Sequence, residues 1–489
     1  MNTAYADAVK WYYSFARLDP HAPRQDARKL DRMRAILARL DNPHQKFPSI
    51  HIAGTKGKGS TAALLESMFR AGGYRTGLYT SPHLHTFRER IRINNQLMPE
   101  ADVVAYTARL RVLAAHFPDA TFFEWVTALA FLYFAEQAVE MAIVETGLGG
   151  RLDSTNVLMP RVSVITPISL DHTDILGNSL LKIAREKAGI IKPGAPVVIA
   201  PQALRALGEI QRKANKEQVR IINVEKDWRW QLVEATPEQQ TVRVRFIKSA
   251  RWQTFTMPLV GPHQRVNLAT ALATIDVLHG RNWRISIGSL QQGIANVDWP
   301  ARFEILARLG LETATETVVE TAAETAAAET ETVTAETAIA AAETAIAAAA
   351  DDAQGYVIAD GAHNVASVRE LVRTLAEVLP HAPAHFIFGA SSDKDIAGML
   401  QALAPHAASL TLTQAQTPRA AKIETLVALA QPFNLPLYTA PDVVRAIEQV
   451  LERIEPTDTV CVTGSLFMAA EARAYFFDIP NEALTSNSL

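Results

Sequence analysis

The 489-residue chain has the make-up of an ordinary globular protein, with 48% hydrophobic residues, 20% charged residues and a net charge of −3. That length exceeds what one hydrophobic core usually serves, so two domains are expected. No apolar run reaches membrane-spanning length, no basic-then-apolar leader opens the chain, and a lone Cys461 excludes an internal disulfide; a soluble, cytoplasmic protein is expected.

In chain order, "DARKLDRMRAILARLD" places Leu30, Met33, Ile36, Leu37 and Leu40 on one helical face. "SIHIAG" predicts a strand and "STAALLESMFRAGG" a helix closed by a glycine pair, with the loop "GTKGKG" between them. "RTGLYTSPH" predicts a strand ending in a loop, and "FFEWVTALAFLYFAEQA" a long core helix. "MAIVETGLGG" and "RVSVITPISLDH" are β-branched strands that stop in polar or glycine-rich loops. A helix over "LKIAREKAGIIKPG", a strand at "APVVIA" and a helix within "GPHQRVNLATALATIDVL" complete the first half. A second strand–helix series follows Pro300, through "GYVIADGAHN", "AHFIFGASSDKD" and "DTVCVTGS". Apolar strands alternating with helices predict mostly parallel sheets, hence an α/β protein with domains at 1–300 and 301–489.

Residues 312–350 are a low-complexity insertion of Glu-Thr-Ala repeats, read as disordered or loosely helical. Its glutamates recur at i, i+4, where like charges repel. It separates "RFEILARLG" from "GYVIADGAHN", two pieces that look like adjacent strands. Residues 311–353 carry eight Glu and two Asp with no Lys or Arg, a local −10 that leaves +7 for the rest of the −3 chain. A mildly basic body suits anionic small ligands, while the absence of a dense basic stripe argues against nucleic acid.

In a parallel sheet, ligands sit at the carboxyl ends of the strands, so the polar residues just after each apolar run are the candidates. Gly57 and Gly59 let backbone N–H groups turn toward phosphate oxygens, Lys58 neutralises charge, and Ser60 opens a helix whose N-terminus favours anions. Glu145, closing "MAIVE", is where a Mg²⁺ ligand or a loop-capping carboxylate would stand. His172 in "SLDHTD" and Ser81 in "YTSPH" are further metal candidates; a structural histidine is the alternative. Lys187 reads on its own as a solvated helix lysine. Asp360 and His363 in "ADGAHN" follow a strand of the second half and read either as site residues or as a loop cap and a surface histidine. With no defensible nucleophile–His–Asp order, the residues point to phosphoryl transfer from Mg-ATP.

The ordered motifs "GTKGKGST", "TSPHLHTFRERIRIN", "ETGLGGRLDSTN", "ISLDHTDILGNSLLKIAREKAGIIKPG", "GPHQRVNLATAL", "DGAHN", "FGASSDKD" and "TGSLFMAAEAR" resemble the folylpolyglutamate synthase/dihydrofolate synthase family of the Mur ligase superfamily. The likeness spans nearly the whole chain except the insertion. It implies an N-terminal Mur-type ATP-binding domain and a smaller C-terminal Rossmann-like domain, and ligation of L-glutamate to dihydropteroate or a reduced folate through an acyl phosphate. Carried over, Gly57, Lys58, Gly59 and Ser60 cradle ATP, and Asn267, Arg302, Asp360 and His363 serve the nucleotide or its chemistry. Ser81, Glu145 and His172 hold Mg²⁺, joined by a Lys187 carboxylated by CO₂. Thr121, Phe122, Phe123 and Glu124, with Leu152, Asp153 and Ser154, line the pteridine site. A monomer is expected.

There are departures. Lys56 stands where the family often has Asn, Ala301 replaces the glycine of a Pro-Gly-Arg, and "RKLDRM" replaces a glycine-leucine pair near the pterin site. The insertion is expected near the interdomain junction. A cell-wall ligase of the same superfamily would need a uridine-nucleotide domain, for which the stretch before the glycine loop leaves no room. A folate-extending enzyme without dihydropteroate activity, a kinase that stops at the acyl phosphate and a non-ligating nucleotide-binding module are the remaining alternatives.

Overall fold

The computed structural model describes residues 3–15, 28–247, 249, 251–310, 354–480 and 482. It divides into two compact units, Met1–Pro300 with Asn481–Leu489, and Ala301–Pro480. The Glu-Thr-Ala insertion lies outside the described residues.

The first unit is built on an eight-stranded sheet: β1 (Ser49–Ala53), β2 (Thr76–Tyr79), β3 (Ile91–Ile93), β4 (Gln96–Leu97), β5 (Met141–Glu145), β6 (Val162–Ile165), β7 (Val197–Ile199) and β8 (Ile221–Asn223). Their order is β4-β3-β2-β5-β1-β6-β7-β8, parallel from β2 to β8 with β3 and β4 antiparallel at the edge. Every residue of β1 and β5 is buried, as the β-branched runs predict for strands covered on both faces. Alternation sends Met141 and Ile143 of β5 into one core with helices Lys58–Ala71 and Pro262–His279. Ala142 and Val144 enter another core with helix Phe122–Glu136. Met33, Ile36 and Leu37 of helix Arg28–Ala38 are fully buried in that second core.

A three-stranded antiparallel sheet, β9 (Trp228–Ala235), β10 (Gln240–Phe246) and β11 (Gln253–Met257), had no counterpart among the predicted elements. Its burial alternates along β10, so it lacks the continuous apolar signature of the parallel strands.

The second unit carries β12 (Glu304–Leu309), β13 (Gly355–Ala359), β14 (Ala384–Phe388), β15 (Ala407–Leu412), β16 (Leu437–Thr439) and β17 (Thr459–Thr463), in the order β12-β13-β17-β14-β15-β16. As expected from the sequence on either side of the insertion, β12 and β13 are neighbours. They are antiparallel, pairing Glu304 with Ala359 and Leu309 with Gly355. The insertion departs from the Leu309–Gly355 end, where the Gly355 N–H donates to the Pro456 carbonyl at 2.9 Å. Arg302 and Asp360 lie at the opposite end, a full strand length away.

Candidate active site

The glycine loop leaves β1 and enters helix Lys58–Ala71 through Gly57, which has φ +74°. A Cβ there would lie 2.2 Å from Oδ1 of Asn267, so both the left-handed backbone and the close approach require glycine. Asn267 is buried on helix Pro262–His279 and donates to Oε1 of Gln264 at 2.8 Å. The loop is tied to the end of β6. The N–H groups of Thr55 and Lys56 donate to the Pro167 carbonyl at 3.0 and 3.1 Å, and the Thr55 hydroxyl bridges the Ser169 carbonyl and N–H. These bonds hold the helix N-terminus open toward the carboxyl ends of the strands, the geometry that favours an anion.

Lys58 reaches into the same place, its Nζ 3.6 Å from Oε1 of Glu145. Glu145 is only 4% exposed and accepts from the Ser81 N–H at 3.3 Å. Ser81 and Glu145, from the ends of β2 and β5, therefore meet. A buried carboxylate beside a hydroxyl residue is a donor set of the kind hard divalent cations prefer, so these residues fit Mg²⁺. His172 lies after β6 at φ +48°, its side chain 44% exposed, with its backbone N–H on Oδ1 of Asp171 at 3.0 Å. Among the described residues no three His, Cys, Asp or Glu side chains gather into a metal-holding cluster. The expected set has only two such residues, Glu145 and His172, besides the Ser81 hydroxyl and Lys187.

Lys187 is not the solvated lysine its helix position suggests. It is 4% exposed and donates to the Gly54 carbonyl at 2.6 Å. Two glycines bring its helix, Leu180–Ala188, this close. A Cβ on Gly150 would lie 2.9 Å from the Glu186 carbonyl oxygen, and one on Gly189 would lie 2.4 Å from Cβ of Arg151. The Arg151 guanidinium meets Glu186 at 2.9 Å and fixes the contact. Burial, reinforced by the Lys58 charge and opposed by Asp171, Asp153 and Glu145, pushes the Lys187 ammonium down to about 7.

The expected pteridine residues fall into two groups. Thr121 and Glu124 form a capping box at the start of helix Phe122–Glu136, and the buried Glu124 carboxylate takes a two-point ion pair from Arg32 at 2.7 and 2.9 Å. Phe122 stacks on Tyr13 at 5.2 Å, and Phe123 is 37% exposed. Asp153 accepts from the N–H groups of Leu148 and Thr155 and so shapes the glycine-rich loop after β5. Ser154 shares a 2.6 Å hydrogen bond with Thr127, while Leu152 is half-buried beside them.

In the second unit, Asp360 accepts from the N–H groups of Phe303 and Ala362, both at 2.8 Å. Burial raises its carboxyl above the usual range, while Arg302 and those N–H groups oppose the rise. Arg302 donates to the Ala301 carbonyl at 2.7 Å, and Nδ1 of His363 lies 2.8 Å from the Gly361 carbonyl oxygen. The three expected residues thus occupy one corner of the unit.

Two arginines near the site escaped prediction. Arg90 and Arg92, spaced two apart in "RERIRIN", read as the polar face of a half-buried strand, yet each is only 7% exposed. Trp299, whose ring covers Gly59, was also missed; nothing but its proximity to Pro300 in sequence marks it.

Residues 52–275 match the Mur ligase middle domain, and residues 349–466 match the Mur ligase glutamate ligase domain. The chain is 31% identical to dihydrofolate synthase/folylpolyglutamate synthase of Bacillus subtilis, over 97% of this chain and 99% of that protein. Among solved structures it resembles Mycobacterium tuberculosis folylpolyglutamate synthase complexed with ADP, with a TM-score of 0.79 and 28% identity over 98% and 99% of the two chains. E. coli FolC in complex with DHPP and ADP matches with a TM-score of 0.77 and 26% identity, covering 96% of this chain and 98% of that one. With a relative of that identity aligned almost end to end, on a fold whose strand ends carry the glycine loop and a buried carboxylate, the chain belongs to the dihydrofolate synthase/folylpolyglutamate synthase family of Mur-type ligases.

Proposed function

We propose that the protein joins L-glutamate to dihydropteroate and to reduced folates, using ATP to form an acyl phosphate on the acceptor carboxylate that the glutamate amine then displaces. The observation that carries this reading is the glycine loop with Lys58 set 3.6 Å from the buried strand-end carboxylate of Glu145. Gly57, Lys58, Gly59 and Ser60 hold the ATP phosphates through backbone N–H groups and the lysine charge, and Asn267 contacts the nucleotide. Ser81, Glu145 and His172 would hold Mg²⁺, which when bound would supply neutralisation of the charge on the transferring phosphoryl group. Domain 1–300 carries the ATP loop and the pteridine segments Thr121–Glu124 and Leu152–Ser154, and Arg302, Asp360 and His363 of domain 301–489 serve the nucleotide or its chemistry.

Lys187 is carboxylated in this reading. Its amine, pushed down to about 7, has a substantial neutral fraction at physiological pH. That form attacks CO₂, losing a proton and turning a buried cation into an anion. The enzyme acts as a cytoplasmic monomer.

The test is incubation with Mg-ATP and L-glutamate, with dihydropteroate in one reaction and tetrahydrofolate in another, followed by mass spectrometry for the gain of a glutamyl unit. Product from both establishes the bifunctional reading, and product from tetrahydrofolate alone reduces it to folate extension. Product from neither, with ATP still bound, overturns ligation of these acceptors.

A further inference from the structure

Arg90 is a buried cation with no ion-pair partner among the described residues. It ends the short 3₁₀ turn Phe87–Arg90 that leads into β3, and 7% of it is exposed. Its Nε donates to Nδ1 of His83 at 2.8 Å, its only hydrogen bond to a side chain among the described residues. Because Nδ1 accepts, the ring carries its proton on Nε2, which points to the Tyr13 hydroxyl at 3.4 Å. The guanidinium carbon lies 5.3 Å from the centre of the Phe122 ring and 5.9 Å from that of Phe123. Among the described residues no carboxylate comes within ion-pair distance, although Glu145 and Glu89 lie near enough to favour the charged form.

A guanidinium this buried, with only its Nη edge reaching solvent, is unfavourable unless something else pairs with it. Rings and a neutral imidazole stabilise the cation only weakly. The planar fork, with both Nη groups making no protein hydrogen bond among the described residues, is preorganised for a two-point contact with a carboxylate. We propose that Arg90 binds the reacting carboxylate of the acceptor, holding it between the Phe122–Phe123 rings and the Glu145 end of the phosphate site. The arrangement suits an aromatic acid, whose ring meets aromatic faces while its carboxylate meets the fork. This inference rests on the proposed acceptor class and adds the group that orients it.

Isothermal titration in the presence of Mg-ADP, with dihydropteroate and with its uncharged carboxamide, tests the assignment. The wild type should prefer the carboxylate by about tenfold or more. Arg90→Met should erase that preference while leaving carboxamide affinity and Mg-ADP affinity near wild type, and Arg90→Lys should restore part of it. Should Arg90→Met fail to fold, Arg90→Gln removes the charge and supplies the same comparison. A charge-free variant that keeps the preference, or that loses both ligands equally, overturns the inference while the ligase reading stands. A wild type that binds neither ligand overturns the acceptor reading and the inference together.

Discussion

The Cβ that Gly59 lacks would lie 2.6 Å from Cζ2 of Trp299. The indole therefore closes directly on the backbone of the nucleotide loop, and the Arg92 guanidinium sits 5.9 Å from the ring centre. Gly59→Ala should push ring and loop apart, at a cost of about 1–3 kcal/mol, the usual range for overpacking. Mg-ADP affinity should fall about tenfold. Adding Trp299→Ala should recover part of that loss, because the clash has no second partner. Titration of the two single variants and the double variant measures the coupling, and strictly additive losses would show that the ring and the loop act independently.

Lys187 offers a second check. Activity should drop in CO₂-depleted buffer and return on adding bicarbonate, since the neutral amine is the reactive form. Lys187→Ala should lose at least about a hundredfold in kcat with no response to bicarbonate. A wild type indifferent to CO₂ would leave Lys187 acting as the plain amine hydrogen-bonded to Gly54.

Glu471 makes part of the stability pH-dependent. Its carboxyl is 5% exposed, accepts from the Gln416 N–H at 2.6 Å and is pushed up to about 7 by burial. Between the ordinary glutamate value and about 7 the folded chain holds a proton that the unfolded chain has released. Stability from this group therefore falls as pH rises through that window and stays reduced above it. Glu471→Gln should melt close to wild type near about pH 4.5 and above it near about pH 8. Thermal melts across that range decide it; a gap that does not widen with pH would contradict the linkage.

Deleting Glu312–Ala350 should leave kcat for glutamate ligation within about a few-fold of the full chain, because the segment joins two strands already paired and closing a shorter loop costs little. Steady-state kinetics of the deletion variant is the measurement, and a loss of about a hundredfold would show that the segment takes part in turnover.

The parts of the fold that were legible in the sequence are those whose signal is local. "SIHIA" and "MAIVE" are continuous apolar strands, and the helices read from Ser60 and from "FFEW" begin at Lys58 and Phe122. The β9–β11 sheet was not legible, since its alternating residues resemble exposed coil until three segments pair. In the site, the loop and the strand-end Glu145 could be read from position alone. The burial of Lys187 could not, because it depends on Gly150 and Gly189 letting two distant segments approach. The burial of Arg90 and Arg92 was not legible either: a period-two pattern normally sends the polar side to water, and here both arginines are buried.

The antiparallel pairing of β12 and β13 gives the second unit two ends with different freedoms. At one end, Asp360 and its N–H donors fix the chain to within a hydrogen bond. At the other, the polypeptide leaves β12 after Leu309 and re-enters β13 at Gly355. The chain should therefore tolerate being opened there. A circular permutant with new termini between Gly310 and Gly355, or a reporter domain spliced into the same place, leaves the ladder and the Asp360 corner on continuous backbone.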